Sequence, residues 1–212
     1  MAWISNNTYL NTADQQNNAT EFWNALGSWG WSVESVCGML GNIQSESTVN
    51  PGVWQNFDEG NLDLGLGLVQ WTPATKLIDW CNEQGFSYTD GLAQCLRIQW
   101  ELENGEQWIP TIAYPMTFEE FHKSTLSPYN LAIIFLMNYE RPRDASAEVQ
   151  ATRGNQAQEW YRYLEGKEPI PPGPVPGEID IYTLGGISNL YMRKRGLING
   201  NKKSYRIKPG RI

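Results

Sequence analysis

Apolar residues recur at helical spacing along most of residues 12–165. Thr12 and Gln15 have the form of a capping pair, so a first helix is expected from Thr12 to about Leu26. It buries Ala19, Phe22, Trp23 and Leu26, and Gly27 stops it. Ser32 caps a second helix, in which Val33, Val36, Leu40 and Ile43 form one stripe. Gly38 and Gly41 are costly inside a helix and signal close approach of another backbone. Thr72-Pro73 opens a third, with Ala74, Leu77, Ile78 and Cys81 inward and Gly85 as its end. Residues 90–104 form a fourth, with Leu92, Cys95, Leu96, Gln99 and Trp100 inward and Gly105 as terminator. Thr117 to Glu120 has capping-box form and begins a short helix through His122. Ser127-Pro128 begins another, whose Leu131, Ile134, Phe135 and Asn138 lead into Tyr139-Glu140-Arg141-Pro142. A last helix covers about 153–165, with Trp160, Tyr161 and Leu164.

Between Pro51 and Trp71 the helical period is lost. Asp58, Gly60, Asn61 and Asp63 are turn formers, and residues 64–69 alternate Leu with Gly before Val69. That pattern predicts a small antiparallel hairpin or three-stranded sheet, whose glycines let a ligand or a backbone come close. With no third glycine and no Gly-Lys-Ser/Thr, it is not a phosphate loop. The expected class is therefore α+β: a mostly helical domain over 1–165 with one small antiparallel sheet. Residues 166–178, GKEPIPPGPVPGE, read as a stiff Pro/Gly linker, and 179–212 as a short basic tail or partial domain. A strand pair around Asn199-Gly200 is one form the tail could take.

Charge divides the chain. Residues 1–178 hold 22 acids and 8 Lys/Arg, a net of −14, whereas 179–212 hold Asp180 against 8 Lys/Arg, a net of +7. The overall −7 argues against a general nucleic-acid binder. Ten Trp exceed what one core of this size needs, so some are expected on a ligand-facing surface. Cys37, Cys81 and Cys95 lack CxxC spacing, and with His122 as the one histidine no zinc set forms from Cys and His. The three are read as free, mostly buried thiols of a reducing compartment. No signal peptide is evident, and the longest apolar run, 131–137, is too short to span a bilayer. No cofactor, membrane or nucleic acid is implied.

The candidate chemistry centres on Glu46. It falls three residues after Ile43 and so extends the buried stripe, at a helix C-terminus where Lys or Arg is the usual choice. Partial desolvation and the helix carbonyls both disfavour the anion there. A carboxyl in that setting, facing a glycine-rich stretch with an amide and an indole, fits a carbohydrate-cleaving cleft. The alternative is one more solvated acid at a helix end.

Four stretches in order carry a resemblance: Gly41-Asn42-Ile43-Gln44-Ser45-Glu46-Ser47, Asn50-Pro51, Gly67-Leu68-Val69-Gln70-Trp71 and Tyr139-Glu140-Arg141-Pro142. Over about residues 10–165 the chain resembles the phage tail-associated lysozymes of small short-tailed phages of Gram-positive hosts. The Glu-Ser pair and the Gly-Leu-Val-Gln run are also similar to goose-type lysozymes and lytic transglycosylases. This likeness implies a lysozyme-like fold and cleavage of the β-1,4 bond between N-acetylmuramic acid and N-acetylglucosamine. It places Glu46 on the family's catalytic acid and Gln70 in the cleft beside the sugar. Related tail-tip proteins can carry a zinc endopeptidase, which one histidine cannot build.

For the second carboxylate, Asp58 is the first choice, with Glu59 and Asp63 in the same loop. A single-acid mechanism, ending in hydrolysis or in a 1,6-anhydro product, stays open. Trp54 and Trp71 are candidate stacking surfaces, and Tyr139 and Glu59 candidate sugar contacts. Glu140 is expected to pair with Arg141 or Arg143 as a local brace, and His122 to be an exposed helix-end residue without catalytic duty. Expected partners are peptidoglycan glycan strands, other phage tail proteins, and anionic wall polymers met by 179–212. The protein is then carried in the virion tail or released at lysis. The competing reading is a structural tail or wall-binding protein that keeps the fold without turnover; chitin-type polymers are a weaker substrate alternative.

Overall fold

The computed structural model describes residues 2–173. The linker beyond Gly173, the basic tail and the strand pair expected around Asn199-Gly200 lie outside the described residues. Among the described residues seven α-helices run in the order α1 (Thr12–Ser28), α2 (Val33–Ser47), α3 (Thr75–Gln84), α4 (Gly91–Asn104), α5 (Phe118–His122), α6 (Pro128–Phe135) and α7 (Ala147–Leu164). A 3₁₀ turn covers Gln55–Phe57, and a π-helical turn, Leu136–Glu140, prolongs α6.

Local signals set most boundaries. Ser32, Asp90, Ser127 and Ser146 each accept a hydrogen bond from a first-turn amide, and Thr117 and Glu120 complete a capping box. Asn11, one residue ahead of Thr12, caps α1, and the helix continues through Gly27 to Ser28. Ser146 starts α7 earlier than the expected residue 153. Gly85 and Gly105, at φ 74° and 68°, end α3 and α4 in the left-handed region.

The expected sheet is absent among the described residues. Only isolated bridges, Trp54 to Leu66 and Leu66 to Trp71, mark residues 53–71. Asn56, Phe57, Gly60, Gly67 and Gln70 all have positive φ, so the backbone reverses too often for a ladder to propagate. The Leu/Gly alternation arises from a tight coil whose apolar side chains enter the core: Leu66 and Leu68 are fully buried. Among the described residues the fold is helical, with no sheet.

The core is centred on α2, in which every residue from Ser35 to Ile43 is buried. It packs against α6 and α7, which also pack on each other. Gly38 makes this possible on the α6 side, since a Cβ there would sit 2.8 Å from Leu131 Cβ. At Gly41 a Cβ would sit 2.4 Å from the Arg153 carbonyl oxygen and 2.9 Å from Ala157 Cβ. An aromatic cluster of Trp108, Phe118, Phe121, Phe135 and Tyr139 fills the space beside α6. His122 belongs to this core: at 6% exposure its ring meets Trp31 edge-on, so it is not the exposed residue expected. Val33, Ile78, Leu92, Trp100 and Tyr161 are half-buried and not fully inward. All three cysteines are free and buried, and burial raises each thiol, that of Cys81 to about 12.

Gly41→Ala forces the α2–α7 contact apart, because the atom it meets first is backbone. We expect a loss of about 1–3 kcal/mol in thermal or denaturant unfolding. An unchanged transition would show that these helices are not in backbone contact.

Candidate active site

The site is assembled at the C-terminal end of α2. After Ser47 the chain turns through Thr48 and Val49, at φ 54° and 58°. A β-branched Val in the left-handed region is strained, and the fold holds it by full burial and by Asn18 Nδ2 donating to its carbonyl at 2.8 Å. Ser47 Oγ donates to Leu68 O at 2.8 Å, which fixes the glycine-rich coil against this helix end. Gln94 of α4 braces the same coil, accepting from Leu68 N and donating to Pro51 O.

Glu46 lies in the last turn of α2, which contains no basic residue. The missing cation comes from α7: Arg153 Nη2 donates to Glu46 Oε1 at 2.6 Å, while Nη1 donates to Asn42 O. Both side chains are largely shielded, at 12% exposure for Arg153 and 24% for Glu46. The positive partner that the helix itself lacks is thus supplied across the interface opened by Gly41.

Glu46 opens into a cleft of about 270 Å³, with Tyr9, Trp54, Gln70, Glu140 and Pro142 among its walls. A second hollow of about 250 Å³ continues it past Gln70 and Glu140 to Lys76 and Arg141. Their combined size suits a small chain of polar rings. Roomier hollows of about 770 and 560 Å³ share no lining residue with this groove. The groove is distinguished by its chemistry.

Glu140 ends the π-helical turn and lines both hollows. Its Oε1 is buried without a hydrogen-bond partner. Burial, reinforced by the Glu46 charge and then by Glu101, holds this carboxyl well above the ordinary glutamate range, against the opposing pull of Arg153 and Arg141. The expected brace is not formed: Arg141, at φ 50°, turns its guanidinium to the carbonyls of Gln107 and Asn138, and Arg143 is exposed.

Gln70, also at positive φ, folds its amide back to donate to Val53 O and Gly67 O, at 3.1 and 3.0 Å. Gly65 leaves room for this fold-back, since a Cβ there would lie 2.8 Å from Gln70 Oε1 and push the amide aside. Trp54 lines the cleft but is 3% exposed and packs edge-on against Tyr88. Trp71 lines the adjoining hollow and points its indole N–H at Glu101 Oε1, 2.9 Å away. Tyr139 is 1% exposed, and its hydroxyl donates to Glu101 Oε2. Arg97 completes this buried network through Nε to Oε1 at 2.9 Å.

Asp58, Glu59 and Asp63 are exposed and are not among the groove's lining residues. Asp58 accepts instead from Asn61 Nδ2 at 2.8 Å, as a loop brace. Arg153, Tyr9 and Glu140 were not assigned to the site from sequence; Tyr9 and Glu140 line the groove, and Arg153 reaches it through Glu46. Arg153 and Tyr9 lie far from Glu46 along the chain and carry no local signal. Tyr9, 65% exposed, meets Phe57 edge-on and offers a ring at the mouth of the cleft. Glu140 did carry a signal, an acid closing an apolar helical run, but its neighbouring arginines suggested a pair.

Residues 17–164 match the family model described as phage tail lysozyme. The chain is 50% identical over 165 residues to morphogenesis protein 1 of Bacillus phage B103. That match takes in 78% of this chain and 44% of the relative, so the chain spans less than half the relative's length.

Burial raises the Glu101 carboxyl, while Arg97, Tyr139 and Trp71 pull it back. The native state therefore binds this proton more tightly than the unfolded chain, and its contribution to stability is lost as pH rises from about 4.5 through the folded value. Tyr139→Phe removes a donor to the carboxylate, so we expect a loss of about 1–3 kcal/mol that deepens with rising pH. Unfolding followed across pH 4–8 checks this; a pH-independent loss would mean that the hydroxyl does not serve Glu101.

Proposed function

The chain belongs to the phage tail lysozyme family, and from that premise we propose that it is a peptidoglycan hydrolase. Its bond is the β-1,4 linkage between N-acetylmuramic acid and N-acetylglucosamine. The observation that carries this reading is the groove itself: Glu46, at the end of a central helix, lines one cleft with Gln70 and other polar side chains.

Glu46 is the general acid that protonates the leaving oxygen, which leaves an oxocarbenium-like centre to be captured. No residue of the 58–63 loop lines the groove, which favours a single-acid mechanism over one using Asp58 or Glu59. The capturing group is water, or the sugar's own 6-hydroxyl with a 1,6-anhydro product. Gln70 and Trp54 border the bound sugar, and Tyr9 with Phe57 supplies an exposed ring surface for stacking. Trp71 and Tyr139 act from behind, through the Glu101 network that holds the groove's walls. The domain of residues 1–165 works on the wall as part of a phage tail, and 179–212 provide contacts to other tail proteins or to anionic wall polymers.

A second reading is a structural role without turnover, favoured by the name of the B103 relative, a morphogenesis protein. Turbidity loss of purified Gram-positive walls separates the two. The hydrolase reading predicts lysis by the wild type and about 10²–10⁴-fold slower lysis by Glu46→Gln. Wall binding with no released sugar fragments, alike in both proteins, would establish the structural reading. Mass spectrometry of the reducing ends distinguishes hydrolysis from anhydro products.

A further inference from the structure

A general acid must hold a proton when substrate arrives, yet Glu46 is engaged by Arg153 at 2.6 Å, an ion pair that uses it as a carboxylate. The same cleft contains a second carboxyl, on Glu140, with a buried oxygen that has no partner. An oxygen in that position is best accommodated as a neutral acid. Several charged groups face it: Glu46 from α2, Arg153 from α7, Glu101 from α4 and Arg141 from the adjoining turn. Lys76 of α3 stands in the continuing hollow. Of these charges, Glu46 acts on Glu140 most strongly. Arg153 engages Glu46 as a carboxylate, so of the two carboxyls lining this cleft Glu140, with its unpartnered buried oxygen, is the one placed to carry a proton.

Resting on the hydrolase reading above, we propose that Glu140 is the proton-supplying residue of this groove, a second carboxyl that reloads Glu46. At rest the pair is Glu140–COOH and Glu46–COO⁻. On substrate binding the proton passes from Glu140 to Glu46, which becomes the neutral acid while Glu140 becomes the anion. Glu46 then gives the proton to the leaving glycosidic oxygen as the C–O bond breaks. Water adds to the anomeric carbon and releases one proton, which restores Glu140. During that interval both carboxylates are anionic, flanked by Arg153, and their charge opposes that of the oxocarbenium-like centre. The π-helical turn at 136–140 sets the position of Glu140, a use consistent with such turns elsewhere.

The test uses the full chain and two readouts. In Glu140→Gln, with folding verified by circular dichroism and thermal unfolding, wall lysis falls about 100-fold. The alkaline limb of its pH profile also moves to lower pH, because the pair's proton is lost more readily without Glu140. Glu140→Asp restores part of both. Independently, ¹³C-carboxyl NMR titration of the wild type shows a glutamate that titrates above the ordinary range and moves down in Glu46→Gln. A folded Glu140→Gln protein with wild-type rate and pH limb overturns the relay, as does a Glu140 titration indifferent to Glu46→Gln. If Glu140→Gln does not fold, Glu140→Asp and the titration decide. Wild-type protein that leaves walls intact overturns the hydrolase reading itself, while the titration still reports whether the proton pair exists.

Discussion

The close approach of three backbones is the constraint on which the groove depends. Gly38 and Gly41 remove the side chains that would keep α6 and α7 away from α2. The Gly41 contact is with Arg153 itself, so the tightest packing in the core also delivers a guanidinium to the last turn of α2. The Gly38 contact seats Leu131 and Ala132 of α6, and the π-helical continuation of that helix ends on Glu140. Acid, cation and second carboxyl therefore converge because three helices share one small-residue face. Electrostatics at the groove is a product of packing.

A second anchor holds the opposite wall. Glu101 on α4 accepts from Trp71 of the glycine-rich coil and from Tyr139 of the π-helical turn, with Arg97 beside it. Burying a carboxylate is costly, and losing any one donor would expose that cost. The same region concentrates strained backbone: Asn56, Gln70, Gln107 and Arg141 all line the groove at positive φ. Strain of this kind persists where surrounding structure over-determines it, and it gathers where geometry serves chemistry.

Most helices were legible because their signals are local. A serine cap, a glycine terminator or a capping box acts within a few residues, and the stripe Val36–Leu40–Ile43 declares its own face. Glu46 was legible for the same reason, as an acid where a helix end usually carries a cation. Its actual cation was not, since Arg153 lies 107 residues away and no periodicity connects the two. The sheet was misread because Leu/Gly alternation looks like a strand until the positive φ angles at Gly67 and Gln70 are known. Trp71 and Tyr139 looked like sugar platforms because aromatic residues serve both core and ligand. Only the position of Glu101 shows which way their polar ends point.

The most direct measurement of the central claim is a crystal structure of Glu46→Gln soaked with a peptidoglycan-derived oligosaccharide. The account predicts the sugar chain running past Gln70 through both joined hollows. A glycosidic oxygen should lie within about 3 Å of residue 46, with Glu140 on the same side. A ligand seated in another hollow, with residue 46 and Glu140 out of reach of any scissile bond, would contradict it.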